Sequence, residues 1–206
     1  ERLPDAALMV GVGNLTELTE ADTCGMQALL FGMISELRAA AVLTTQVSPH
    51  CRSAIREADL ARRVMFRARA EQRLPKGLHG GLAGLHERRP FPLDSAAIAE
   101  AAAAVKDANY RVQVNHDGIH LYNRDGLYHA SDPFDLFPCL DIGHDTGHAF
   151  YLGVELARAE IALTLGKRYT QDQPLDWGAA APRREEKLEC YAAPASTKRQ
   201  QRNAGR

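Results

Sequence analysis

The chain has 206 residues, 45% of them hydrophobic and 25% charged, with a formal net charge of −1. This is the composition of an ordinary globular protein of one or two domains, and the balanced charge leaves no electrostatic footprint for nucleic acid. No apolar run reaches the roughly 18–20 residues that a membrane-spanning helix requires, and Glu1-Arg2-Leu3-Pro4-Asp5 lacks the basic and apolar regions of a signal peptide.

The first periodic segment begins almost at once. Ala7-Leu8-Met9-Val10-Gly11-Val12-Gly13 is a short apolar run ending in glycines, which fits a strand buried on both faces. Thr19 is placed to cap a helix that follows, with Asp22 in its first turn and Met26, Leu29, Leu30, Met33, Ile34 and Leu37 as a core-facing stripe. A second unit repeats the pattern. Ala39 to Val47 reads as a strand, Ser48-Pro49 breaks it, and a helix from about Arg52 to Ala70 is expected to bury Ile55, Ala58, Ala61, Met65 and Ala68. Two strand–helix units with short joins imply parallel strands and right-handed crossovers. Two units cannot close a barrel, which takes about 250 residues.

Residues 75–92 are punctuated by Pro75, Gly77, Gly80, Gly81, Gly84, Pro90 and Pro92 and read as a linker. Asp94 then caps an alanine-rich helix expected to run to Asn109. Tyr110 to Val114 alternates at period two, and Asn115-His116-Asp117-Gly118 turns the chain into Ile119–Asn123 as a hairpin. Asn123-Arg124-Asp125-Gly126 suggests a further turn. Ser131-Asp132-Pro133 opens a short helix expected to turn Phe134, Leu136 and Phe137 inward. The last strong element is a helix from about Gly147 to Leu165, burying Leu152, Leu156, Ala159 and Leu163 and ending at Gly166. Beyond Gly178 apolar periodicity is lost, and residues 179–206 are expected to form a solvated, disordered tail with a basic excess. The domain division that follows is 1–74, a linker at 75–92, an α+β domain at 93–178, and the tail.

Cys24, Cys51, Cys139 and Cys190 stand far apart with no C-x-x-C pair. They are expected to be free thiols of a cytoplasmic protein. The chain does not open with Met, so a fragment or a processed chain is expected.

Three segments could carry chemistry. Gly11-Val12-Gly13-Asn14-Leu15-Thr16-Glu17-Leu18 sits where a parallel strand meets its loop, the end at which such folds bind ligands. Asn14 offers both a donor and an acceptor, and Glu17 an acceptor for a ring amide or amine. The alternative is a tight turn in which Asn14 serves the local backbone. Thr44-Thr45-Gln46-Val47-Ser48-Pro49-His50-Cys51-Arg52 lies at the matching end of the next strand. Arg52 beside a helix start could hold a phosphate, with Gln46 and Ser48 as polar neighbours; the alternative makes Arg52 and Arg56 surface ion-pair residues. Finally, His144 and His148 are four apart, but Gly147 and the lack of H-E-x-x-H leave a capping and packing role, and no metal ligand is assigned.

Taken together, the runs from Gly11 to Thr19, Leu43 to Val47 and Arg52 to Glu57 resemble the last two strand–helix units of dihydropteroate synthase-like proteins of the tetrahydromethanopterin-linked type. Downstream, His148 to Leu156 and Leu165 to Asp172 resemble the domain that follows the barrel there, which is shared distantly with a subunit of tetrahydromethanopterin methyltransferase. The resemblance covers roughly residues 6–178. It implies an α/β fold: the last two units of a TIM-type (β/α)8 barrel followed by a smaller α+β domain. It also implies a cytoplasmic transferase of one-carbon metabolism that condenses a dihydropterin diphosphate with an aminobenzoate-type amine. Asn14 would meet the pterin edge and Arg52 the diphosphate, which could bring Mg2+ with it; no other cofactor is expected, nor any nucleic-acid or membrane partner, and a homodimer is compatible. One departure stands out. The Ser-Arg-Lys run of typical synthases is absent, and Asn14-Leu15-Thr16 lies closer to the Gly-x-Ser-Asn run of pterin-dependent methyltransferases. The 206-residue chain alone is expected to be catalytically inert. Two readings compete with this one: a non-catalytic interaction domain built on residues 94–178, and a corrinoid- or pterin-linked methyl carrier.

Overall fold

A computed structural model describes residues 6–182. The chain divides into two units; the first takes the residues up to Gly84 together with 177–182, the second Leu85–Asp176. Among the described residues the architecture is mixed α/β with two small sheets and no closed barrel, and no helix is long and apolar enough to cross a membrane. Of the tail expected over 179–206, residues 179–182 are described and begin in an ordered 3-10 turn with Ala179 buried, while residues 183–206 and Glu1–Asp5 lie outside the described residues.

In the first unit, β1 (Met9–Gly11) is followed by α1 (Gly13–Leu18) and α2 (Thr23–Leu37), then β2 (Ala41–Leu43) by α3 (Ala54–Ala70). The two strands are parallel, with Met9, Val10 and Gly11 opposite Ala41, Val42 and Leu43. Both are shorter than the sequence suggests. Past Leu43 the chain leaves the ladder, and Pro49–Cys51 forms a 3-10 turn. The helix start expected at Thr19 is displaced, because Asp22 is the better cap: its carboxylate accepts from the Cys24 and Gly25 amides at 3.0 and 3.2 Å.

The core of this unit joins Val12, Phe31, Ile34, Ala58 and Ala61. Small alanines on α3 let α2 approach closely. The stripe assigned to α2 needs correction: Gln27, Phe31 and Ile34 are buried, whereas Leu29, Met33 and Leu37 are 68%, 56% and 63% exposed. On α3, Ala58, Ala61 and Ala68 are buried as expected, but Ile55 is exposed. Residues 178–180 make a further 3-10 turn that returns to this unit. The Ala179 carbonyl accepts from Arg56 Nε at 2.7 Å, and its amide donates to the Gly81 carbonyl at 2.7 Å.

The second unit begins with α4 (Ser95–Ala103), capped by Asp94, whose side chain accepts from the Ala97 amide at 2.8 Å. The helix stops well short of Asn109, and Arg111 instead grips Asp107. β3 (Arg111–Asn115), β4 (Gly118–Asn123) and β5 (Gly126–Ala130) form an antiparallel meander. Both hairpins use the same Asn-x-Asp-Gly tetrad. Asn115 and Asn123 each accept, through Oδ1, from the amide two residues on, at 2.8 Å in both cases. Gly118 has φ 145°, and a Cβ there would lie 2.8 Å from the Ala130 carbonyl oxygen, so only glycine fits.

After α5 (Pro133–Leu136), α6 (Thr146–Leu165) packs on one face of the meander. Leu152, Leu156, Ala159 and Ala162 join Val112, Val114, Ile119 and Leu121 there, while Ile98 and Ala102 of α4 cover Tyr122. The central strand β4 is therefore buried along its whole length. Phe134 and Phe137 do not turn inward. They are 85% and 67% exposed, and Leu136 alone anchors that turn. Gly166 ends α6 in the left-handed conformation, as expected.

Candidate functional site

The loops that leave β1 and β2 meet on the same side of the small parallel sheet, beyond its carboxyl end. The Val12 amide donates to the Leu43 carbonyl at 2.8 Å, which carries the ladder one step past the strands. There Gly13 lies against Thr45. A Cβ on Gly13 would run into the Thr45 hydroxyl and come within 3.0 Å of the Thr45 backbone nitrogen. The glycine is thus needed for close approach of the two loops rather than for an unusual dihedral.

Glu17 closes this contact. Its two carboxylate oxygens accept from the Val47 and Ser48 amides, each at 2.8 Å. Hydrogen bonds from the Ser48 side chain and those two amides hold its carboxyl at about 2, below the usual 4.5. Glu17 is therefore an ionised clamp between the two loops. Beside it the Thr16 carbonyl accepts from Cys51 Sγ at 3.2 Å, and His50 Nε2 lies 3.2 Å from the same oxygen. Nothing in the sequence marks this pairing, because the partners are 34 and 35 residues apart and one of them is a backbone atom.

Ser48 contributes both its amide and its hydroxyl to Glu17. Gln46 Oε1 accepts from the Ile55 amide in the first turn of α3, at 3.4 Å. Asn14, in the first turn of α1, and Arg52, two residues before α3, are exposed. Among the described residues neither side chain has a hydrogen-bond or ion-pair partner. The five candidate residues thus divide by behaviour: Glu17, Ser48 and Gln46 tie loops and a helix start together, whereas Asn14 and Arg52 present unengaged polar groups. Arg56 is in neither class, since its Nε serves the Ala179 carbonyl.

Beneath the loops lies a polar layer that the sequence reading passed over. Glu57 is 1% exposed and accepts from Ser53 Oγ at 2.6 Å. Among the described residues its Oε2, both amide atoms of Gln27 and the Thr44 hydroxyl are buried without a partner. The Cys24 thiol faces Glu57, and burial followed by the nearby carboxylates pushes it up to about 12. Cys24, Cys51 and Cys139 are all free thiols.

The second unit directs its polar groups inward. Glu155, 1% exposed on α6, accepts from the Tyr169 hydroxyl at 2.6 Å, the Asp172 amide at 3.2 Å and Arg158 at 2.7 Å. Gln171 bridges to β3: its Oε1 accepts from the Val112 amide at 2.8 Å, and its Nε2 donates to the Tyr110 carbonyl and the Tyr151 hydroxyl. The Tyr151 hydroxyl in turn donates to Asp172 at 2.7 Å. Burial, then Glu155, raises Tyr169 well above the usual phenol range. His148 stacks between Tyr110 and Tyr151, and its amide is capped by Asp145, so it packs as expected. Among the described residues no group of three His, Cys, Asp or Glu side chains is arranged to hold a metal ion.

Comparison with known proteins adds two findings. Residues 140–172, which span α6 and the Tyr169–Asp172 segment that packs on it, match the family model described as PterinBD-DUF4346, a pterin-binding-related domain. The matched span lies in the second unit and contains none of the five candidate residues. A curated relative, the uncharacterized protein MJ0107 of Methanocaldococcus jannaschii, is 30% identical over 186 residues. That alignment covers 80% of this chain but 35% of the relative, so the chain spans about a third of the relative's length. No solved structure matches the chain.

Proposed function

We propose that the first unit is the closing part of a pterin-binding (β/α)8 barrel in a dihydropteroate synthase-like protein, with residues 93–178 as its accessory domain. The observation that carries this reading is the placement of Asn14 and Arg52. They are exposed and, among the described residues, unengaged, on the loops after two adjacent parallel strands, and Glu17 locks those loops together. The family match at 140–172 supports the pterin connection independently of these residues.

In this proposal the Asn14 amide meets the donor–acceptor edge of the pterin ring. Arg52, just ahead of the α3 N-terminus, meets the diphosphate, any Mg2+ arriving with it as part of the substrate. The amine nitrogen attacks the exocyclic carbon that bears the diphosphate. The C–O bond breaks, diphosphate leaves with the electron pair, and the new secondary amine loses its proton. The protein's share is orientation and charge stabilisation. Glu17, Ser48 and Gln46 hold the loops, so they are positioning residues.

The test is binding of a reduced pterin diphosphate by the protein extended to the length of its archaeal relative, followed by fluorescence quenching. Asn14→Ala and Arg52→Ala should each weaken binding about tenfold, the loss of one hydrogen bond of ordinary to charged strength, with Tm unchanged. A wild-type protein with no affinity for reduced pterins sinks the reading. A second reading, a non-catalytic interaction domain, is favoured by Phe134, Phe137 and Phe150, which are 85%, 67% and 67% exposed. Under it the same two variants would leave capture of a partner untouched.

A further inference from the structure

We propose that Arg56 is the second cation of the diphosphate site, and that it reaches the anion by releasing a strap formed by residues 177–182. This rests on the Arg52 reading above and adds to it a residue and a movement.

After the second unit the chain returns to the first at Trp177. The returning segment lies against residues 81–84, which in turn lie on α3. A Cβ on Gly81 would come within 2.7 Å of Leu60 Cδ2. Gly178 has φ 55°, and a side chain on it would run into the Gly81 carbonyl, so the two backbones cross in direct contact. Ala179 is 5% exposed and held from two sides. Its amide donates to the Gly81 carbonyl, and its carbonyl accepts from Arg56 Nε, both at 2.7 Å. Arg56 thus latches the strap to α3.

Arg56 and Leu60 stand one turn apart on one side of α3, and Arg52 continues the same spacing just ahead of the helix. The row leads from the strap to the loop at which the diphosphate is placed. At the helical rise per residue, the two arginines are about 6 Å apart along the axis, close enough for both side chains to meet one anion. Among the described residues no carboxylate forms an ion pair with either of them.

The Ala179 carbonyl offers Arg56 a single neutral acceptor. A phosphoryl group carries formal charge and takes a guanidinium through two parallel N–H···O bonds. A diphosphate at Arg52 is therefore the stronger partner for Arg56. When Arg56 moves over, the Ala179 carbonyl is left buried without its donor, which is costly. The strap lifts so that water can serve it. Binding at the loops is thereby coupled to release of the strap, and the coupling is reciprocal: a closed strap lowers affinity for the anion.

The test uses inorganic diphosphate with the protein extended to the length of its archaeal relative. Titration calorimetry reads affinity, and hydrogen–deuterium exchange of the peptide containing Gly178–Ala180 reads the strap. Wild type is compared with Arg52→Ala and Arg56→Ala; both positions are exposed, and circular dichroism confirms that each variant folds. Saturating diphosphate should speed exchange of the wild-type strap severalfold. Arg56→Ala should bind about tenfold more weakly, the gain of a bond to an anion less that of a bond to a carbonyl. Its strap should exchange at the released rate with or without the anion. Wild type that binds through Arg52 overturns this proposal alone if Arg56→Ala binds equally well or the wild-type strap keeps its exchange rate. Wild type with no affinity for diphosphate, or an affinity unchanged in Arg52→Ala, overturns the Arg52 site and this proposal together.

Discussion

Replacing Glu155 by Met removes the carboxylate around which the end of the second unit is organised, with little change in side-chain volume. Three donors lose their acceptor: the Tyr169 hydroxyl at 2.6 Å, Arg158 at 2.7 Å and the Asp172 amide at 3.2 Å. Glu155 and Tyr169 are 1% and 9% exposed, so water cannot replace the lost partner freely. Breaking one side of such a buried network costs about 3–5 kcal/mol. Tyr169→Phe deletes one charge-assisted hydrogen bond, about 1.5–3 kcal/mol. The two losses share that bond, so the double variant should be less destabilised than the sum of the singles by about 1.5–3 kcal/mol. Urea unfolding followed by far-ultraviolet circular dichroism, with all four proteins compared, measures this coupling. Additivity within about 0.5 kcal/mol, the range for independent sites, would refute the claim that the two side chains form one unit.

The loops of the first unit give two more predictions. Glu17 is held at about 2 when folded against an ordinary 4.5, so the stability it contributes is fully present above 4.5 and is lost as pH falls toward about 2. An acid-unfolding series should therefore show wild type more stable than Glu17→Gln at neutral pH, with the curves converging below the folded value; a constant gap at all pH values would contradict the clamp. Gly13→Ala forces a methyl group against the Thr45 hydroxyl and backbone. It should cost about 1–3 kcal/mol by overpacking, read as a lower urea midpoint, whereas an unchanged midpoint would mean that the loops part easily.

Local chemistry was legible in the sequence wherever it is self-contained. The Asn-x-Asp-Gly tetrads encode both hairpins, because each Asn bonds its own turn. Asp94 and Gly166 mark helix ends through neighbours no more than four residues away. Capping went astray only where two candidates competed, at Thr19 and Asp22. The two-strand parallel pairing followed from the alternation of strand and helix, since short joins leave few other solutions.

Which face of each element meets what was decided by tertiary structure alone. Periodicity shows that α2 has apolar residues on more than one side, but it cannot say which side receives α3. The small alanines of α3 select Phe31 and Ile34 and leave Leu29, Met33 and Leu37 outside. The site divides in the same way. The residue types and their place after two strands are written in the chain. That Glu17 spends both oxygens on amides 30 and 31 residues away, while Asn14 and Arg52 stay unengaged among the described residues, is not. Backbone amides carry no side-chain identity for a sequence pattern to register, and only the folded path of the loops brings them to the carboxylate.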